Sequence, residues 1–276
     1  MAGIVFQDDI EDLEPRVFIE EILGLQRNQY NLRNLCSVVQ TPKLQARVRT
    51  ATKGTVDTKV GEGEEADIAS NTYSYTDLAL WKNVGHVSVT DEARKRASFD
   101  VLNTEINNVS RDLGRAENAQ IATEWGSNGT STASTAGVWT SDSNDPVEDV
   151  LDTVVATMLA LDKGYDPKDL AMHPQVYAAL VHNDNIAKEV THTALIQKGG
   201  VDSIFGMNIT VDINLTDTRC YVLDKEAPAC LLAQGGTSAA KYRNEPTGED
   251  RYIVRQWLQP KVVLTDALYY LTGVHS

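Results

Sequence analysis

The sequence predicts an α+β chain, and three features carry that expectation. From Ala46 the residues alternate with a period of two. From Thr90 a helical period of three and four continues to about Glu124. After Asp145 helices and short strands alternate, and the chain closes in a run of strands.

The first fifteen residues hold Asp8, Asp9, Glu11, Asp12 and Glu14 with no base, and Pro15 suits a first helical position. Phe18, Ile22 and Leu25 then give an apolar stripe out to about Leu35. Residues 1–42 therefore read as an acidic flexible end and an amphipathic helix.

In the period-two stretch Arg47, Arg49, Lys53, Asp57 and Lys59 share one face, while Val48, Thr50, Thr52, Val56, Thr58 and Val60 share the other. The acidic turn GEGEEAD, with Glu62, Glu64 and Glu65, precedes a second strand pattern from Asn71 to Val89. Residues 43–89 thus predict a long polar hairpin whose larger apolar groups include Tyr73, Tyr75, Leu78, Leu80 and Trp81. A lone hairpin is marginal in water, so this one is expected to lean on something outside its own domain.

Thr90 is placed as a helix N-cap, with Asp91 and Glu92 in the first turn where the helix dipole favours acids. Phe99, Leu102, Ile106, Val109, Leu113 and Ala116 form one narrow apolar stripe over a helix about 50 Å long. That is too little for an autonomous zipper and fits a strut laid across a sheet. Gly126 to Pro146, rich in Gly, Ser and Thr, reads as a long loop or flexible excursion. A helix from Asp145–Pro146 turns Val147, Val150, Leu151, Val154, Val155, Met158 and Leu161 inward. A strand at 169–173, a helix from Pro174 to about His182 and a helical segment from Asn185 to Gln197 come next. Strands are expected at 206–215, 219–224, 230–234, 250–258 and 261–271.

With 276 residues and 42% hydrophobic content the chain can build a core, as one large domain or two closely joined ones. A net charge of −14 disfavours a chain whose main work is gripping phosphates. Cys36, Cys220 and Cys230 have neither disulfide-framework nor zinc-ligand spacing and read as buried thiols of a reducing cytosol. The acidic N-terminus lacks the bases of a signal peptide, and no apolar run is long enough to span a membrane. The five histidines show no H-E-x-x-H spacing, and His173 before Pro174 reads as a turn residue. Gly61-Glu62-Gly63 lacks the third glycine and following helix of a phosphate cradle, and no nucleophile elbow or P-loop is present. No catalytic, cofactor or metal site is expected.

The order of these elements resembles that of the HK97-like major capsid proteins of tailed bacterial and archaeal viruses. VSVTDEARKRASFDVLNTEI matches the strand, acidic cap and long "spine" helix, and GRAENAQIATEW its end. DLAMHPQVYAAL is similar to the family's strand–His-Pro–helix segment, FGMNITVDINLTDTRCYVLDKEA to its strand–turn–strand run, and VRQWLQPKVVLTDALYYL to its terminal strands. The resemblance extends from about Leu44 to the end.

It implies an N-terminal arm at 1–42, an extended hairpin or E-loop at 43–89, and a P domain with the spine helix at 90–143. It further implies an A domain at 144–250 and return strands to the P domain at 251–276. The implied function is that of a major capsid protein, self-assembling through pentamers and hexamers into an icosahedral head around double-stranded DNA. Implied partners are a separate scaffolding protein, because the arm begins almost at Met1, a portal, a decoration protein and non-specific proximity to packaged DNA. No membrane is implied; the particle would assemble in the host cytoplasm. Arg47, Arg49, Lys53, Lys59, Glu62, Glu64, Glu65, Tyr73, Tyr75 and Trp81 are the expected intersubunit contacts. Some relatives cross-link a hairpin lysine to a neighbour's asparagine; Lys53 and Lys59 lie in that element but are expected to stay unlinked. The nearest alternative is an encapsulin-like cellular nanocompartment shell. A soluble α/β enzyme and a secreted adhesin or tube protein fit less well.

Overall fold

The computed structural model describes residues 31–51, 62, 73–96, 101–186 and 203–276. The acidic N-terminal stretch, the Phe18–Leu25 stripe, most of the hairpin tip, Phe99 and nearly all of the helical segment expected at 185–197 lie outside them.

Two sheets organise the chain. The first has the order β1 (Ser37–Gln40), β10 (Cys230–Asn244), β11 (Glu249–Val262), β4 (Trp81–Thr90). β1 runs parallel to β10, and the other neighbours are antiparallel. Along β11 burial alternates without a break, and Asp250, Tyr252, Val254, Gln256, Leu258, Pro260 and Val262 turn inward. The helix Val101–Asn128, here α2 after α1 (Asp91–Arg96), lies against β4 and β11. Ile106 and Leu113 meet Val87, Val89, Tyr252 and Val254 there. Gly85 allows the close approach: a Cβ on it would stand 2.4 Å from Val109 Cγ1.

The second sheet has the order β5 (Thr130–Ala133), β12 (Leu268–Thr272), β9 (Arg219–Leu223), β6 (Asp169–Met172), β8 (Met207–Val211), β7 (Ser203–Ile204). Its central strands are apolar on both sides, as a doubly covered sheet requires. Leu170, Met172, Cys220, Val222, Tyr269 and Leu271 face a helical layer. That layer is a π-helical stretch Glu148–Val155 running into α3 (Ala156–Ala160), together with α4 (Pro174–His182). Ala171, Tyr221, Leu223, Leu268 and Tyr270 face the other way, onto Ile121 and Trp125 of α2 and Leu232 and Leu258 of the first sheet. The C-terminal half of α2 is thus clamped between the two sheets.

Several sequence expectations hold. Thr90 Oγ1 accepts from Ala93 N at 3.2 Å, and His173 Nδ1 accepts from Gln175 N at 3.2 Å, so both cap helices. Val150, Val154 and Met158 are buried, and all three cysteines are free, buried thiols.

Other expectations need correction. The strand read from Asn71 to Val89 is two strands in two sheets. β3 (Tyr73–Ala79) pairs with β2 (Gln45–Ala51), and β4 pairs with β11. Leu80 N bonds to Leu44 O at 2.9 Å, closing the hairpin before Trp81 joins Leu258. The strand read at 230–234 continues to Asn244, because Gly235–Gly236, with Gly236 at φ 93°, forms a bulge that β10 passes through. Lys261 and Val262 finish β11, so the strand read at 261–271 is also divided.

The boundaries expected at 144, 250 and 251 are crossed by the sheets. Residues 230–244 lie in the first sheet, while 268–272 lie in the second. Residues 37–40 are a strand of the first sheet.

The Ser/Thr-rich stretch after α2 is no excursion. It contains β5, parallel to β12, and residues 134–139 are pinned by a network around Asp149. Asp149, with no solvent exposure, accepts from Ser134 Oγ at 2.6 Å, Thr135 N at 2.7 Å, Ala136 N at 3.0 Å and Trp139 Nε1 at 2.7 Å. Burial pushes this carboxyl up, but bonds from Ser134, Trp139, Ala136 and Thr135 outweigh it and hold its pKa below the ordinary aspartate value. Asn183 Nδ2 adds bonds to the carbonyls of Trp139, Ser141 and Asn144 at 3.0–3.1 Å.

Candidate intersubunit surface

The described base of the hairpin has two unlike faces. The register pairs Arg47 with Asp77, Arg49 with Tyr75 and Ala51 with Tyr73. Directly opposed residues of an antiparallel pair share a face, so Arg47, Arg49, Tyr73, Tyr75 and Asp77 stand together. Tyr73 is 58% exposed and Tyr75 54%. Ala46, Val48, Thr50, Thr76 and Leu78 occupy the opposite, better covered face, with Leu78 buried.

On the exposed face Arg47 grips Asp77 through both arms of its guanidinium, Nε to Oδ1 at 2.5 Å and Nη2 to Oδ2 at 2.9 Å. The Arg47 and Arg49 guanidinium carbons lie 5.6 and 5.5 Å from the centre of the Tyr75 ring, within cation–π range. Bonding to Arg47 holds Asp77 below its ordinary pKa. Fully solvated pairs of this kind contribute little to stability. Their effect is to hold two cations against the Tyr75 ring on a surface that buries none of them, with Tyr73 exposed on the same face.

Trp81 belongs elsewhere. It begins β4 at the edge of the first sheet, is 68% exposed, and borders a shallow depression with Gln120, Thr123, Gln259 and Pro260. Glu62 is an exposed turn residue. Lys53, Lys59, Glu64 and Glu65 lie outside the described residues. Reading the sequence missed Asp77, which only the pairing register places opposite Arg47.

A second charged cluster sits where β4 enters α1. Arg243 on β10 bonds Asp91 at 2.7 Å, Asp250 at 3.2 Å and Glu245 at 2.8 Å, and Arg94 reaches Asp250 at 3.3 Å. Gly248 O accepts from Asp91 N at 3.0 Å. Asp91, placed in the first turn of the helix, therefore also ties the helix start to the β10–β11 turn.

Among the described residues no group of three or more His, Cys, Asp or Glu side chains could hold a metal ion. No helix among them is long and apolar enough to cross a membrane. Exposed Tyr and Arg side chains are the types that concentrate binding energy at contacts between macromolecules, and Tyr75 here is braced by two of the guanidinium groups.

The profile of the phage capsid family matches residues 12–220, well over half of the chain. The chain belongs to the phage capsid family. Solved structures agree at the level of the fold. The capsid of a native GTA particle computed with C5 symmetry superposes with a TM-score of 0.71 at 14% identity, over 89% of this chain and 90% of that one. The capsid of cyanophage P-SCSP1u gives 0.69 at 13% identity, over 89% and 88%. A virus-like particle from Pyrococcus furiosus gives 0.63 at 14% identity, over 91% and 96%. A sequence comparison with curated proteins gives no match. This capsid-family protein has the HK97-like fold, and its function is that of a major capsid shell protein. Its place is the virion capsid.

Proposed function

We propose that this capsid protein assembles through pentamers and hexamers into an icosahedral head enclosing double-stranded DNA, and that the hairpin at 43–89 lies across a neighbouring subunit. The observation that carries this reading is the hairpin's exposed face, where Arg47, Arg49, Tyr73 and Tyr75 stand together uncovered. Tyr and Arg are the residue types that concentrate binding energy at the centre of interfaces.

In this reading the first sheet and α2 form the P domain, and the second sheet with its helices forms the A domain around the capsomer axis. The long β10 and β11 belong to the former and β12 to the latter. Assembly takes place in the host cytoplasm with a separate scaffolding protein, followed by a portal and, on the finished shell, a decoration protein. The net charge of −14 suits a shell that does not hold packaged DNA firmly. A cellular nanocompartment shell would share the fold; particles enclosing a cargo enzyme rather than DNA would favour it.

Hydroxyl-radical footprinting of free subunits and assembled particles tests the role of the hairpin. Tyr73 and Tyr75 should become protected on assembly. Equal labelling in both states would contradict the reading.

A further inference from the structure

The buried stripe of α2 runs Ile106, Ser110, Leu113, Glu117, Ile121, Trp125, at steps of four and three. One member of this otherwise uncharged row is a carboxylate with no solvent exposure. It sits where three elements meet. Arg33, on the short 3-10 turn Leu32–Leu35, places Nη1 3.4 Å from both Glu117 oxygens. Gln256 of β11 donates to Glu117 Oε2 at 3.0 Å. The other arm of Arg33 donates to Gln234 of β10, whose Oε1 also accepts from Gln40 of β1 at 3.2 Å.

The segment from Leu32 to Gln40 is therefore seated by three means. Leu32, Leu35 and Cys36 enter the core beside Ile121 and Trp125, β1 pairs with β10, and the polar cluster joins it to α2.

We propose that seating of residues 32–40 against α2 is proton-linked, with Glu117 as the group that takes up the proton. Burial pushes the Glu117 carboxyl up to about 7 from 4.5; Arg33 and the bond from Gln256 pull it down without undoing this. Arg33 is the cation of the cluster, approaching from the turn. The neighbouring Cys36 thiol is pushed well up by bonding to Cys230 and by burial, and stays neutral over this range. Gln234 and Gln40 carry no charge. On α2 itself Arg115 is exposed, and Glu124 is engaged with Lys261 at 3.1 Å and Val262 N at 3.0 Å.

Linkage sets the sign. A carboxyl whose pKa is higher in the seated state than in the unseated one binds its proton more tightly when seated. Seating is therefore tightest below pH 4.5, weakens as pH rises toward 7, and levels off above it. Between pH 5 and pH 8 the equilibrium constant for unseating rises about 70-fold if release returns Glu117 to its ordinary pKa.

Hydrogen–deuterium exchange of the β1 amides in the full chain, corrected for intrinsic rates and compared within one assembly state, measures that constant. The wild type should show the rise between pH 5 and pH 8 and a plateau beyond. Glu117→Gln, which fixes a neutral group of the same shape, should abolish the rise. A wild type with no pH dependence, or a Glu117→Gln protein with the wild-type profile, would overturn the proposal. Arg33→Gln supplies an independent readout should Glu117→Gln fail to fold. Removing the cation raises the pKa of Glu117 further, so the plateau should begin at higher pH; an unmoved profile would likewise overturn it.

Discussion

Replacing Asp149 by alanine should destabilise the folded subunit by about 4 kcal/mol, lowering its melting temperature by roughly 10 °C. The carboxylate is fully buried and receives bonds from two backbone N–H groups, two hydroxyls and the Trp139 indole. Truncation removes the acceptor and leaves the buried Trp139 indole and the partly covered donors of Ser134, Thr135 and Ala136 without it, and a buried unsatisfied group costs about 1–3 kcal/mol before the structure relaxes. Trp139, itself without exposure, would lose the partner that orients it over Val150 and Val154. The pKa of Asp149 is depressed, so this stabilisation is complete above the ordinary aspartate range and fades only as pH falls through the lowered value. Differential scanning calorimetry of the unassembled subunit near pH 7 checks the effect, and a shift of less than about 2 °C would contradict it.

Changing Tyr73, Tyr75 and Trp81 together to serine should have the opposite profile, leaving the subunit folded but unable to assemble. All three side chains are more than half exposed, and substitutions at such positions usually move stability by no more than about 0.5 kcal/mol. An aromatic anchor at the centre of an interface is worth on the order of 2 kcal/mol, about thirtyfold in contact affinity. A shell repeats each contact around every capsomer, so the loss compounds. Light scattering should show subunits or small oligomers under conditions where the wild type forms particles, with circular dichroism unchanged. Particles of normal size and yield would remove these residues from the interface.

How legible the chain was depended on whether a local pattern met a local cause. The helix at Pro174 was readable because a side-chain cap and a proline at the first turn act within a few residues. The start of α1 was readable because Thr90, Asp91 and Glu92 announce it, and α2 because its apolar residues recur at helical spacing. The true buried row of α2 was not, because Glu117 and Ser110 occupy positions that periodicity alone assigns to apolar groups. Only Arg33 and Gln256, distant in sequence, make a carboxylate tolerable there.

The break at Leu80 was hidden because both halves of the stretch are good strands, and their division is set by pairing partners on β2 and β11. The strand expected to end at Gln234 runs on through a bulge at Gly235–Gly236, since β11 continues opposite it. The Ser/Thr-rich run after α2 looked unstructured because its order comes mostly from pairing with β12 and hydrogen bonds to Asp149, with Trp139 as its one fully buried large apolar group. On the candidate surface the sequence singled out Arg47, Arg49, Tyr73 and Tyr75. The bracing carboxylate of Asp77 required the register.

The central claim is that this chain is a shell subunit, and electron microscopy of the purified full-length protein, expressed alone and with a scaffolding protein, tests it most directly. The account predicts closed shells or five- and six-fold rings of subunits. A protein that remains a monodisperse monomer in both preparations and across assembly conditions would contradict it.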